Sequence, residues 1–238
     1  MGPKDLNRWQ YLTRDGNVRW LKYSWGPATA NTLAARLEDG TWLVVAPSVG
    51  SASSVLEDLS KDGTVSALIA PNAYHHLGQR TWRLHFPSAT SYAPVGALPR
   101  LSRKSPDVPY RPASDLSETI RPRVTFLVPE GMKSPDMLVC VSVAGSTVWW
   151  MGDLFTNNAV DDQNWLLRTI APLAGSGMGY RRNSKPGLIY VRNPKAWLHC
   201  ITNALDANPP SVVVPAHGNP VMEDTARWTR SLLREDSQ

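Results

Sequence analysis

Cysteine is almost missing from this 238-residue chain: there are two, Cys140 and Cys200. Both sit in apolar segments with no CxxC and no Cys/His partner at zinc-finger spacing, so they read as buried small hydrophobes. Also missing is any apolar run long enough to span a bilayer, and residues 1–16 are polar and charged where a signal peptide would have an apolar core. The expectation is a soluble, cytoplasmic protein with no membrane partner. Charge is weakly biased, 25 Lys+Arg against 20 Asp+Glu for a net +5. The basic residues are scattered, densest at Arg181-Arg182 and Arg121/Arg123, and form no stripe able to neutralise several phosphates. Nucleic acid is therefore not expected, whereas a small or anionic substrate suits the bias.

What the chain does contain is 42% hydrophobic residues and ten Trp, enough to fill a sizeable core and to exclude disorder. Twenty Pro and sixteen Gly follow no G-X-Y period, which excludes a collagen-like fibre and implies many turns.

Strand-like runs at 33–38 and 41–46 meet at Asp39-Gly40, a dipeptide that supplies positive φ in tight hairpins. A helical pattern over 51–61 carries Val55, Leu56 and Leu59 and stops at Asp62-Gly63. A short strand at 65–70 and a polar loop at 71–76 follow. The order recurs. Runs at 137–143 and 147–151 join through Ala144-Gly145-Ser146, helical stretches fall at 161–170 and 194–205, and a strand at 212–214 leads into another loop. In the 194–205 helix Asn193 can cap and Pro194 suits the first turn. Residues 87–123, rich in Pro, Ser and Arg, read as the least regular part, with a strand at 91–95. Two similar halves of hairpins and helices suggest one domain of two sheets packed face to face with helices outside, residues 1–17 being an N-terminal extension and 234–238 a frayed tail.

Of five histidines, His75, His76 and His217 fall in loops just after short buried strands, where open sheets place ligands and catalytic groups. His85 and His199 fall in helical patterns and read as packing or surface residues. Asp153 ends the apolar strand at Val148-Trp149-Trp150-Met151, where a carboxylate is costly unless it is solvated, caps a helix or binds a cation. Tyr74 adjoins the histidines as a hydrogen-bond donor or a packing residue, and Arg181 and Arg182 as a grip for an anion or as surface charge.

These landmarks together resemble the metallo-β-lactamase superfamily. The strand 65–70 with His75-His76-Leu77-Gly78 resembles its HxHxDH loop, Met151-Gly152-Asp153 its later Gly-Asp, and residues 212–218 its final strand and histidine. The hairpin at Asp39-Gly40 resembles the opening of the fold. The resemblance spans about residues 18–220 and implies an α+β, four-layer αββα sandwich of two mixed sheets flanked by helices.

The departures narrow what it implies. Aligning His76 with the histidine of the Asp-His pair puts Pro71 and Ala73 where the first two histidines stand, and His75 where the aspartate stands. Residues 129–135 contain no third histidine, so the first metal site is gone. The second leaves His75, His76, Asp153 and His217 as ligands for one divalent ion, Zn²⁺ or alternatively Fe²⁺ or Mn²⁺. The implied activity is hydrolysis of an ester, amide or phosphoester by metal-acidified water, with Asp153 as ligand or base and Tyr74 as an oxyanion donor. The alternatives are a metal-free binding protein of the same fold, its pocket lined by Trp149, Trp150 and Tyr74, and an iron-binding redox protein.

Overall fold

The computed structural model describes residues 7–163, 166, 169, 177–183 and 191–234. Seven strands, β1 (Trp9–Tyr11), β2 (Val18–Trp25), β3 (Ala28–Arg36), β4 (Trp42–Val45), β5 (Val65–Ile69), β6 (Thr90–Ala93) and β7 (Tyr110–Pro112), lie in chain order across one sheet. Pairing is antiparallel from β1 to β4 and parallel from β4 to β7. The chain continues with β8 (Val124–Leu127), β9 (Leu138–Val143), β10 (Ser146–Trp150), β11 (Phe155–Asn158), β12 (Gly179–Arg182), β13 (Val212–Val214) and β14 (His217–Gly218). A second sheet has the order β13-β10-β9-β8 and a small third one β12-β11-β14, both mixed.

Two-residue periodicity sorts the side chains into layers. Leu43 and Val45 of β4 join Val139, Val141, Val148 and Trp150 of the second sheet in one buried cluster between the sheets. The intervening Trp42 and Val44 face outward and pack with Val55, Leu56 and Leu59 of the Ser53–Ser60 helix and Trp82 of the Gln79–His85 helix. On the far side Cys140, Trp149 and Val213 are covered by Trp197, Ile201 and Leu205 of the Pro194–Ala207 helix and by Leu233 of the Thr225–Arg234 helix. Helix, sheet, sheet, helix is the αββα sandwich the sequence led us to expect.

Local chemistry explains the elements. Gly40 takes φ 81° and the Asp39 carboxylate accepts the Thr41 N–H at 2.9 Å, closing the β3–β4 hairpin. Asn193 caps the Pro194–Ala207 helix through the Ala196 N–H at 3.2 Å. Residues 87–123 correct the expectation of irregularity, for they hold β6, β7 and helices at Leu98–Lys104 and Ser114–Ser117. Their prolines stand where proline is tolerated, Pro99 in a first helical turn and Pro112 on the edge strand β7. Ala93, Ala97 and Leu101 close a small core there with Ala70 and Ala73. Residues 9–11, within the stretch read as an extension, form the edge strand β1, tied down by a 2.8 Å bond from Trp9 Nε1 to the Val55 carbonyl. Half of the helix expected at 161–170, and the tail from 235, lie outside the described residues. No helix among the described residues is long and apolar enough to cross a membrane.

Candidate metal centre

Three segments at one edge of the sandwich carry the candidate side chains: the loop after β5, the turn after β10 that holds Asp153, and the chain after β13, where His217 opens the short strand β14, paired with Thr156 of β11, and does not lie in the loop expected of it. After β5 the Asn72 Oδ1 accepts the N–H groups of Tyr74 and His75 at 2.8 and 2.9 Å, a turn that ends the strand and sets the direction of His75. The Asn72 amide donates to Asp136 Oδ1 at 2.9 Å and Asp153 Oδ2 at 3.1 Å. After β10 the chain turns at Gly152, with φ 66°, and the Asp153 N–H donates to Asp136 Oδ2 at 2.8 Å.

The third segment follows β13. Asn31 Nδ2 on β3 donates to the carbonyls of Pro215 and Gly218, each at 2.8 Å, and the Asn31 N–H donates to the Ala216 carbonyl at 2.9 Å. His217 Nδ1 lies 2.7 Å from the Thr29 carbonyl, which can only accept, so Nδ1 carries hydrogen and Nε2 faces the centre. Just beyond, Lys22 Nζ joins Asn219 Oδ1 to the buried Asp162, which it meets at 2.6 Å.

These supports bring His75, Asp153 and His217 together, each offering a ligand atom within 4.8 Å of the other two. His75 Nε2 lies 2.8 Å and His217 Nε2 3.4 Å from Asp153 Oδ1. Trp150, at the end of the inter-sheet core, sets its ring edge-on to His75 at 6.4 Å between centroids. Trp25 flanks His217 at 6.3 Å. Nitrogen–oxygen donors with this spacing suit a divalent ion of the zinc, iron or manganese type and leave positions for other ligands.

Burial acts on every charge here. It would raise the Asp153 carboxyl, but the charge and hydrogen bonds of His75 and His217 overturn it and hold the group well below the usual carboxylate range. For Asp136 burial, reinforced by the Asp153 charge, pushes the carboxyl up to about 7. Burial pulls His75 down, and the Asp153 charge and hydrogen bond more than reverse it, so the ring titrates above 6.5. In metal-stripped protein the stabilisation from the His75–Asp153 pair is thus full between the ordinary Asp value of 3.8 and pH 6.5; it is lost as pH rises through the raised His75 value and as pH falls through the depressed Asp153 value. In Asp153→Asn, where burial dominates, His75 is expected to titrate below 6.5. Imidazole NMR across pH checks this; a midpoint unchanged by the substitution would contradict it.

Three of the four expected ligands converge and His76 does not. The turn that directs His75 inward leaves its neighbour pointing elsewhere, and His76 Nδ1 pairs with Ser105 Oγ at 2.8 Å. Burial, then the charges of Arg100, His75 and Lys104, lower its pKa. Tyr74 is 42% exposed, with the Arg100 guanidinium 4.6 Å from its ring centroid. Trp149 is sealed against the Pro194–Ala207 helix, so only Trp150 of the adjacent pair borders the centre. Arg181 and Arg182 lie on β12, paired with Thr156 and Phe155 of β11, and Arg182 packs over Trp197 at 5.5 Å. His85 meets the Phe86 ring edge-on and His199 bonds Asn203, away from the cluster. Sequence reasoning missed Asn31, Asn72 and Asp136. Asp136 carried a signal, since it stands two residues before the apolar strand β9, where a carboxylate is as costly as Asp153 just past the end of β10.

Among solved structures the chain is similar to a metallo-beta-lactamase from Erythrobacter litoralis with beta mercaptoethanol in the active site, at TM-score 0.65 and 15% identity over 95% of this chain and 96% of that one. It matches VMB-1 at TM-score 0.62 and 14% identity over 100% of both chains. It matches DIM-1 metallo-beta-lactamase at 0.59 and 16%, over 96% of this chain and 97% of that one. The fold is therefore that of the metallo-β-lactamases. No family model and no curated protein matches the sequence.

Proposed function

We propose that this protein is a mononuclear metal-dependent hydrolase acting on a small or anionic ester, amide or phosphoester. The observation that carries the reading is the convergence of His75, Asp153 and His217 at the sheet edge. Both imidazoles would hold the ion through Nε2, and Asp153 through Oδ1, because Oδ2 is taken by Asn72. With both oxygens so engaged, Asp153 serves as ligand and not as free base. Asn72 and Asp136 keep that carboxylate in place, and the Thr29 carbonyl keeps the His217 tautomer, the outer partners that metal ligands need. A divalent ion bound there polarises a substrate oxygen and acidifies water. Zn²⁺ fits the donor set best, with Fe²⁺ and Mn²⁺ as the other occupants of the same shell. Arg100 and Lys104 have no acidic partner among the described residues, and they give the Tyr74 side of the loop a positive field suited to an anionic substrate.

The test is a panel of p-nitrophenyl acetate, bis-p-nitrophenyl phosphate and an anilide, offered to untagged protein loaded with Zn²⁺ or Mn²⁺. Hydrolysis of at least one, abolished by chelation and by His217→Ala, is expected. No turnover with any of them, or turnover indifferent to chelation, would contradict the proposal.

A further inference from the structure

The β2–β3 hairpin flanks the centre and its side chains alternate between faces. Trp25 stands beside His217, and Tyr23, two residues back on β2, shares its face of the strand. Across the ladder Tyr23 pairs with Ala30. Ala30 lies between Thr29, whose carbonyl holds His217, and Asn31, which holds the carbonyls on either side of it. The face shared with Trp25, together with the Asp153 charge that reaches its phenol, turns Tyr23 toward the His217 side of the centre.

Tyr23 is 4% exposed, yet its hydroxyl has no hydrogen-bond partner among the described residues. Nor is it one of the sealed polar atoms, as Tyr110 Oη is, so it opens to solvent. A phenol that is buried as a ring and open at its tip has its O–H free to meet an acceptor brought by a ligand. Burial, and after it the charge of Asp153, hold its pKa above the ordinary phenol range. The hydroxyl therefore stays protonated at neutral pH and available as a donor.

We propose that the Tyr23 hydroxyl is a catalytic hydrogen-bond donor to an anionic oxygen, carboxylate or phosphoryl, bound beside His75, Asp153 and His217. The inference rests on the hydrolase reading and gives Tyr23 the role that the sequence alone suggested for Tyr74. A donor aimed at negative charge acts most strongly where that charge is complete, so a bound anion reports directly the contact that a developing oxyanion would use in turnover.

Calorimetric titration of untagged protein with acetate, and separately with inorganic phosphate, compares wild type with Tyr23→Phe, which keeps the ring and removes only the oxygen. Metal content is measured on the same samples. At least one anion is expected to bind about tenfold more weakly to Tyr23→Phe, a loss typical of a hydrogen bond to a charged group, with metal content unchanged. Anion saturation should also shift the near-ultraviolet tyrosine band of the wild type, and Tyr23→Phe should lose that shift. Weakening for one anion alone identifies the class recognised. Equal affinities for both anions in the two proteins, or no binding of either anion to wild type, would overturn the assignment. Absence of metal in the wild type would count against the hydrolase reading, while the anion comparison would still decide the role of Tyr23.

Discussion

Asp153→Asn is expected to weaken divalent-ion binding about 100-fold or more and to remove metal-dependent hydrolysis with it, since loss of even an outer partner of a ligand costs roughly 10–100-fold. The substitution keeps the shape of the side chain and changes only its charge and one donor atom. The orienting bonds that survive, from Asn72 to the side chain and from the Asp153 N–H to Asp136, should leave the loop in place. The fold is therefore expected to persist while the metal site fails. Titration with Zn²⁺ in competition with a chromogenic chelator measures the affinity, and circular dichroism checks the fold. An asparagine variant that bound metal as tightly as wild type would remove Asp153 from the ligand set.

Gly152→Ala should be far more damaging than its single methyl suggests. Gly152 takes φ 66°, in the left-handed region, and an added Cβ would lie 2.2 Å from Asp136 Oδ2 and 2.4 Å from Oδ1. The left-handed backbone costs an alanine about 1–2 kcal/mol. Displacing the buried Asp136 also strips its bonds from Asn72 and from the Asp153 N–H, each worth about 1–3 kcal/mol when a buried partner is left unmet. A total near 3 kcal/mol or more corresponds to a fall in Tm of roughly 6–12 °C for a domain of this size. The centre should suffer too, because the same bonds fix Asp153. Thermal unfolding of the variant beside wild type measures the first effect. A Tm within about 2 °C of wild type would show that Asp136 yields easily and does not brace the site.

The layered fold was legible in the sequence because it is written in short-range chemistry. Alternation along β4, β9 and β10, the Asp39-Gly40 turn and the Asn193-Pro194 helix start each act within a few residues. So was the placing of His75, Asp153 and His217 after buried strands, because sheet edges gather strand ends. The direction of a side chain within a loop was not. His75 and His76 are chemically identical neighbours, and what separates them is the Asn72 turn on one side and Ser105, 29 residues onward, on the other. Asn31 was equally hidden. It sits in the middle of β3 and meets the His217 loop only across 184 residues of chain. Tyr74 and Tyr23 show the same limit, since proximity in sequence favoured the first, while the second shares its strand face with Trp25, the residue that flanks His217.

The central claim is that His75, Asp153 and His217 hold one cation and His76 does not. Elemental analysis of untagged wild type, His217→Ala and His76→Ala, purified alike, tests it most directly. Close to one divalent ion per wild-type chain is expected, with near loss in His217→Ala and retention in His76→Ala. The same trace metal in all three proteins, or loss in His76→Ala equal to that in His217→Ala, would contradict it.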